Sequence, residues 1–215
     1  MSLKFCTVPV THYQQNCSII WCELSKQAAL VDPGGDANKL LGKIDELGLS
    51  LNKILLTHGH MDHVGATSEI RKSTAVPVIG PHKDDDFWLQ SLAQQASMMG
   101  FEAQAPLEPD TWLNDGDTVE LGELSLQVIH CPGHTPGHVV FYEADSQQAF
   151  VGDVLFAGSI GRTDFPKGNM TQLLDSIRNK LLVLGDEVNF VPGHGPNSSF
   201  GRERVSNPFL AEQPY

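Results

Sequence analysis

Positive charge is scarce in this chain. Lys and Arg number 14 against 26 Asp and Glu, a formal net charge of −12. Such a surface offers no general field for a phosphate backbone, so nucleic acid is not an expected partner. Long apolar runs are missing as well: none approaches the ~20 residues that cross a bilayer. The opening stretch MSLKFCTVPVTHYQQNCSIIWC lacks the basic-then-apolar layout of a secretory leader. No membrane association is expected, and the cytoplasm is the expected compartment. Cysteine is sparse: Cys6, Cys17, Cys22 and Cys131 form no CxxC pair, and Cys17 and Cys22 fall within one strand-like stretch. Reduced, mostly buried thiols are the reading that follows.

What is present is ordinary globular material. With 215 residues, 40% hydrophobic and 19% charged, the chain can bury one substantial core, and a single domain over residues 1–215 is expected. NCSIIWCEL and QAALV read as strands, and Asp36 to Leu47 as a helix with Leu40, Leu41, Ile44 and Leu47 on one face. KILLT reads as a buried strand, VGATSEIRKS as the helix after it, and VPVIG as another strand. An irregular helix is expected over residues 84–99, followed by the proline-containing connector FEAQAPLEPDTW. Beyond it TVELGELSLQVIHC, HVVFYEA and QAFVGD are short strands divided by turns. A helix near Thr171 and a strand in NFVPGHG close the pattern. Interleaved strands and helices in two halves of similar size predict an α/β fold, two sheets packed as a sandwich with helices outside.

The chemistry concentrates in HGHMDH at residues 58–63. His58, His60, Asp62 and His63 lie where an apolar strand gives way to a helix, a junction from which binding groups project off a rigid frame. His134, Asp153 and His194 follow at similar strand ends. Taken singly, each has a plainer reading: Asp62 as the N-cap of a helix starting at Val64, His134 and His194 as hydrogen-bonded loop histidines, Asp153 as a turn residue. Taken together, five imidazoles and two carboxylates are what two neighbouring divalent ions require, since each takes about four N or O ligands and a catalytic site keeps a position for water. Zinc is the expected metal, with iron or manganese accommodated by the same donors. Asp32, at the strand end in VDPGG, reads as a turn former in preference to an acceptor for a ligating imidazole. His12, His82 and His130 read as surface or structural residues, and His138 as support for the turn carrying His134.

HxHxDH followed by His134, Asp153 and His194 resembles the metallo-β-lactamase superfamily. Within it LVDPGG, ILLTHGHMDHVG, HCPGHTPGHVVF, GDVLF and VPGHGP are similar to the glyoxalase II-like hydrolases, the short bacterial form above all. The resemblance implies a four-layer αββα sandwich of two mixed sheets with the metals at one edge. It implies that His58, His60 and His134 hold one metal, that Asp62, His63 and His194 hold the other, and that Asp153 bridges them. About twenty residues follow His194, so no separate C-terminal helical domain of the kind seen in larger glyoxalase II enzymes is expected.

Two such ions ionise water near neutral pH and polarise the attacked carbonyl, which supplies a hydroxide nucleophile without Ser or Cys. A thioester suits this chemistry, because a thiolate with a conjugate pKa of roughly 8.5–9 departs with little help from an acid. Asp62 is the candidate to accept the proton of the water. The resemblance implies S-(2-hydroxyacyl)glutathione, such as S-lactoylglutathione, as substrate. Arg162 and Lys167, and near the C-terminus Arg202 and Arg204, are the candidate cations for its carboxylates, Arg162 standing where relatives place a glutathione-contacting Lys or Arg. GRTDF at residues 161–165 resembles instead the persulfide dioxygenases of the same superfamily, which bind a single iron through the equivalents of His58, His134 and Asp153. An exported β-lactamase is not expected without a leader.

Overall fold

The computed structural model describes residues 2–210. The first sheet comprises β1 (Leu3–Val10), β2 (Gln15–Cys22), β3 (Gln27–Val31), β4 (Ser50–Leu55) and β5 (Val78–Ile79), paired in that order. Its first three strands are antiparallel, and β3, β4 and β5 are parallel. The second sheet draws on β6 (Thr118–Leu121), β7 (Leu124–His130), β8 (Val139–Glu143) and β9 (Gln148–Gly152). A small hairpin of β10 (Leu155–Phe156) and β11 (Ser159–Ile160) precedes its last strands, β12 (Asn189–Pro192) and β13 (Ser198–Ser199). The spatial order is β13-β12-β9-β8-β7-β6, antiparallel except where β12 runs parallel to β9. Both sheets are therefore mixed, as expected.

Period-2 alternation puts the two faces of each strand into different cores. In β3, Ala29 and Val31 point between the sheets, where they join Ile20, Leu55, Leu126, Val128, Phe141 and Phe150. Ala28 and Leu30 point the other way, into a core shared with the helices α1 (Ala37–Glu46), α2 (Met61–Val64), α3 (Thr67–Thr74), α4 (Asp86–Gln90) and α5 (Leu92–Met99). On the far face of the second sheet Val140, Val151 and Phe190 pack against α6 (Met170–Ser176), the π-helical turn that continues it (Ile177–Leu181) and α7 (Phe200–Ser206), through Leu173, Ile177 and Phe200. Three apolar layers between four layers of structure make the αββα sandwich. Cys17 and Cys22 lie buried on β2, and all four cysteines are free.

The helix expected over VGATSEIRKS is broken into α2 and α3 at Gly65 and Ala66. A Cβ on Gly65 would lie 2.5 Å from the Gly34 carbonyl oxygen, and the Ala66 N–H donates to the Pro33 carbonyl. The turn at residues 33–34 takes the backbone groups that a continuous helix would need. The irregular helix over residues 84–99 resolves into a 3₁₀ turn at Lys83–Asp85, then α4 and α5. Of VPVIG only Val78–Ile79 forms a strand.

One consequence positions the site. β7, β9 and β12 run in the same direction, so the loops leaving their C-terminal ends, which carry His134, Asp153 and His194, open at one edge of the sheet. Phe141, fully buried between the sheets, tests the sandwich. Phe141→Ala should cost about 3–5 kcal/mol, read from urea unfolding of the metal-free protein; a loss under about 0.5 kcal/mol, the range of surface changes, would contradict this packing.

Candidate metal centre

β4 ends at Leu55, and the chain continues through Leu56 and Thr57 to His58, so the frame for the first histidines is the buried end of a strand, from Ile54 onward. His60 precedes α2, whose single turn carries Asp62 and His63. Asp62 lies inside that turn and makes no capping bond, which removes the N-cap reading. All seven residues singled out in the sequence converge. His58 Nε2 and His134 Nε2 each lie 3.1 Å from His60 Nδ1. On the other side His194 Nε2 lies 3.1 Å from Asp62 Oδ2, and His63 Nε2 lies 3.9 Å from it. Asp153 stands between the two groups, with Oδ1 3.4 Å from His63 Nε2 and Oδ2 3.7 Å from His134 Nε2 and 3.9 Å from His194 Nε2. His58–His60–His134 and Asp62–His63–His194 each have the donor geometry to hold a metal ion.

The tautomers follow from the outer nitrogens. His134 Nδ1–H donates to the Arg162 carbonyl at 2.7 Å, and His63 Nδ1–H donates to Asp32 Oδ2 at 2.9 Å. The Thr57 hydroxyl donates to Asp32 Oδ2 at 2.6 Å and so accepts from His58 Nδ1–H at 3.0 Å. His58 and His134 then each aim an unprotonated Nε2 at the centre, and His63 aims the nitrogen that an ion would take in place of a proton. Imidazole lone pairs at the 3.1 Å that separates His60 Nδ1 from His58 Nε2 and from His134 Nε2 repel one another, yet that spacing is close to the edge of about 3.3 Å in a tetrahedron with 2.0–2.1 Å metal–nitrogen bonds. His63 Nε2 and Asp153 Oδ1 are buried without a hydrogen-bond partner. Gly193 lies so close to Asp153 Oδ1 and His63 that a Cβ there would collide with both. The donor set, the orphaned atoms and the tight enclosure all fit divalent ions.

Electrostatics of the protein alone point the same way. Burial and the neighbouring rings push His58 well below the ordinary histidine range, and burial with His134 beside it takes His60 to about 3. Burial lowers His134 too. For His63 burial acts downward, but the carboxylates of Asp153 and Asp62 outweigh it and hold the ring protonated. Burial raises the Asp62 and Asp153 carboxyls, whereas the facing histidines overcome it and keep both ionised. Without an ion, a proton on His63 is the cation those carboxylates draw in.

Asp32 is a correction to the sequence reading. It is buried, and besides His63 and the Thr57 hydroxyl it accepts from the Thr57 N–H at 2.7 Å. Its position at the end of a strand beside the site was the available signal, and Thr57 gave none. His138 is buried as well: its backbone carbonyl closes the turn carrying His134 by accepting from Cys131, and its Nε2 accepts from the Asp153 N–H at 3.0 Å. His82 and His130 stack on each other at 4.2 Å outside the seven-residue group. Arg162 and Lys167 do not join that group either. The Arg162 guanidinium is exposed, paired with Asp164 and lying 4.6 Å from the Phe165 ring centroid, while Lys167 lies over Phe87 at 3.9 Å. Phe165 in turn sits 4.9 Å from the His60 ring, so Arg162 reaches the rim of the centre.

Two outcomes follow. Asp32→Asn, which leaves His63 and Thr57 competing for one remaining oxygen, should weaken metal binding about 10- to 100-fold in a chelator competition; unchanged affinity would contradict the orienting role of Asp32. The second concerns acid. His58, His60, His134 and His138 are held below their unfolded value near 6.5, so below pH ~6.5 the unfolded chain binds protons that the folded chain refuses. His63 is raised, and its contribution is complete below that pH and lost only above its own raised value. Burial lowers His130 as well, whereas Asp85, raised by burial to about 7, favours the fold on acidification, one group against five. The melting temperature of metal-free protein should therefore fall from pH 6.5 to pH 5; a rise would contradict this balance.

The family model described as the metallo-beta-lactamase superfamily matches residues 10–194. Hydroxyacylglutathione hydrolase GloC of Haemophilus influenzae is 47% identical over 204 residues, covering 94% of this chain and 96% of that protein. Among solved structures, BLEG-1 B3 metallo-beta-lactamase superposes with a TM-score of 0.90 at 36% identity, covering 97% of this chain and all of that one. TTHA1623 in a di-iron-bound form gives 0.87 at 36% identity, over 95% and 100% of the two chains.

Proposed function

Because the chain belongs to the metallo-β-lactamase superfamily, we propose that its seven-residue constellation is a two-metal centre that hydrolyses glutathione thioesters, S-(2-hydroxyacyl)glutathione such as S-lactoylglutathione, to glutathione and a 2-hydroxy acid. The observation that carries the reading is the placement of Asp153 within 3.4–3.9 Å of His63, His134 and His194, members of both ligand groups. His58, His60 and His134 would hold one ion and Asp62, His63 and His194 the other, with Asp153 shared. Zinc is the metal assigned, and the di-iron form of TTHA1623 shows that iron suits a relative's site. When bound, such a pair supplies a nucleophile from water at neutral pH and Lewis acidity toward a carbonyl.

The protein's own groups do the rest. Asp32 and the Arg162 carbonyl fix the rings of His63 and His134, so the centre is preorganised. Asp62, ionised beside His63 and His194, is the carboxylate assigned to take the proton that water loses. A thiolate leaves without a dedicated acid, which matches a centre whose converging polar side chains are all assigned as ligands. Phe165 and Trp88 pack edge-on against His60, at 4.9 and 4.6 Å between centroids, and wall the centre on that side. On a chain of net charge −12, Arg162 and Lys167 supply local attraction for the glutathione carboxylates, with Arg162 exchanging its contact with Asp164 for the substrate. Substrate identity is supported by the relative GloC, a hydroxyacylglutathione hydrolase, and the cytoplasm, where glutathione keeps thiols reduced, is the compartment assigned.

Protein loaded with two equivalents of Zn²⁺ should consume S-lactoylglutathione, followed by loss of thioester absorbance, and Asp153→Asn should lower kcat by about 10²-fold or more. Intact thioester would overturn the reading. Oxygen uptake by iron-loaded protein given glutathione persulfide would replace it with the dioxygenase chemistry that GRTDF resembles, and cleavage of a β-lactam with no thioester turnover would replace it with a β-lactamase activity, as the name of BLEG-1 describes.

A further inference from the structure

The 3₁₀ turn at Lys83–Asp85 contributes no residue to the seven, yet its last side chain bonds to the loops that carry several of them. Asp85 is fully buried, and its carboxylate accepts three hydrogen bonds. Oδ2 takes the Gly59 N–H at 2.9 Å and the Thr135 hydroxyl at 2.8 Å, and Oδ1 takes the Gly137 N–H at 2.5 Å. Gly59 lies between His58 and His60, and Thr135 follows His134 directly. One carboxylate thus joins the amide between His58 and His60 to the loop that carries His134, and it makes no hydrogen bond to Asp62, His63 or His194 of the second group.

The same approach explains two glycines. A Cβ on Gly137 would lie 2.5 Å from the Asp85 nitrogen and 2.7 Å from Asp85 Oδ1. One on Gly59 would lie 2.7 Å from Trp88 Cβ and 3.2 Å from the Asp85 carbonyl oxygen. Both loops are therefore stripped of side chain where the turn presses on them. The His82 N–H also donates to the Gly137 carbonyl at 3.0 Å, and Asp85 N–H to the His82 carbonyl at 3.0 Å, which fixes the turn itself against the His134 loop. Burial raises the Asp85 carboxyl while Thr135, Gly59 and Gly137 pull it back, so the acceptor state depends on all three donors being in place.

We propose that Asp85 is a positioning residue for the His58–His60–His134 group alone, a clasp that sets the spacing of the two loops and thereby the affinity of one of the two metal positions. This rests on the two-metal reading above. The physical content is local: replacing one carboxylate oxygen by an amide leaves a backbone N–H of Gly59 or Gly137 facing another donor. One loop must then move, and with it either His58 and His60 or His134.

The test is Zn²⁺ titration of metal-free wild-type and Asp85→Asn protein against a chromophoric chelator, repeated in a His194→Ala background that disables the second group. Wild type should bind two equivalents. Asp85→Asn should keep one at wild-type affinity and weaken the other about 10- to 100-fold, and in the His194→Ala background it should weaken the single equivalent that remains. Wild-type affinity at both positions, or equal weakening of both, would overturn the clasp while leaving the two-metal reading intact; fewer than two equivalents in wild type would overturn that reading and the clasp with it. Should Asp85→Asn not fold, Thr135→Val, which deletes one of the three donors, is expected to show the same selectivity at a several-fold level, and no change or an unselective loss would count against the proposal.

Discussion

Imidazole lone pairs and carboxylates of like sign cannot share a buried space without positive charge among them. In this protein five histidines and two aspartates converge within a few ångströms, and the outer nitrogens of His63, His134 and His58 are tied to Asp32, Arg162 and Thr57. The inner nitrogens are thereby left bare. A proton on His63 relieves part of the strain, but only a cation with several open coordination positions satisfies the whole set. The rest of the structure follows from holding that repulsive arrangement rigid.

Rigidity comes from the sandwich. Parallel β7, β9 and β12 release their loops at one edge, and β4, buried at its C-terminal end, releases the HGHMDH segment. Buried acceptors then tie the loops together: Asp32 reaches Thr57 and His63 from the end of β3, Asp85 reaches Gly59, Thr135 and Gly137, and Gln95 on α5 accepts from the Met61 N–H at 2.9 Å. His138 adds the Asp153 amide. Ligand side chains with both ends accounted for lose little freedom when an ion binds, which is the structural basis of preorganisation.

Much of this was legible in the residues. The two-sheet α/β pattern and all seven converging side chains could be named from strand ends, glycines and the HxHxDH spacing, because ligand chemistry and period-2 alternation are local signals. The boundaries were less so. The break between α2 and α3 depends on the Pro33–Gly34 turn, some thirty residues away, and the brevity of β5 depends on what packs beside it. Asp32 sat in view but its turn-forming context, VDPGG, pointed elsewhere. Asp85 was invisible for a simpler reason: in the run of three aspartates at residues 84–86, nothing local tells which faces inward. Arg162 and Lys167 show the opposite limit, since a cation's place on a sequence does not reveal that Asp164 and two aromatic rings already engage it.

The central claim is that the seven residues hold two ions. Anomalous scattering from crystals of the metal-loaded protein addresses it directly. The account predicts two peaks about 3.5–4 Å apart, one bonded to His58, His60 and His134, the other to Asp62, His63 and His194, with Asp153 touching both. A single peak at full loading, or a strong peak at the stacked His82 and His130 with none among the seven, would contradict it.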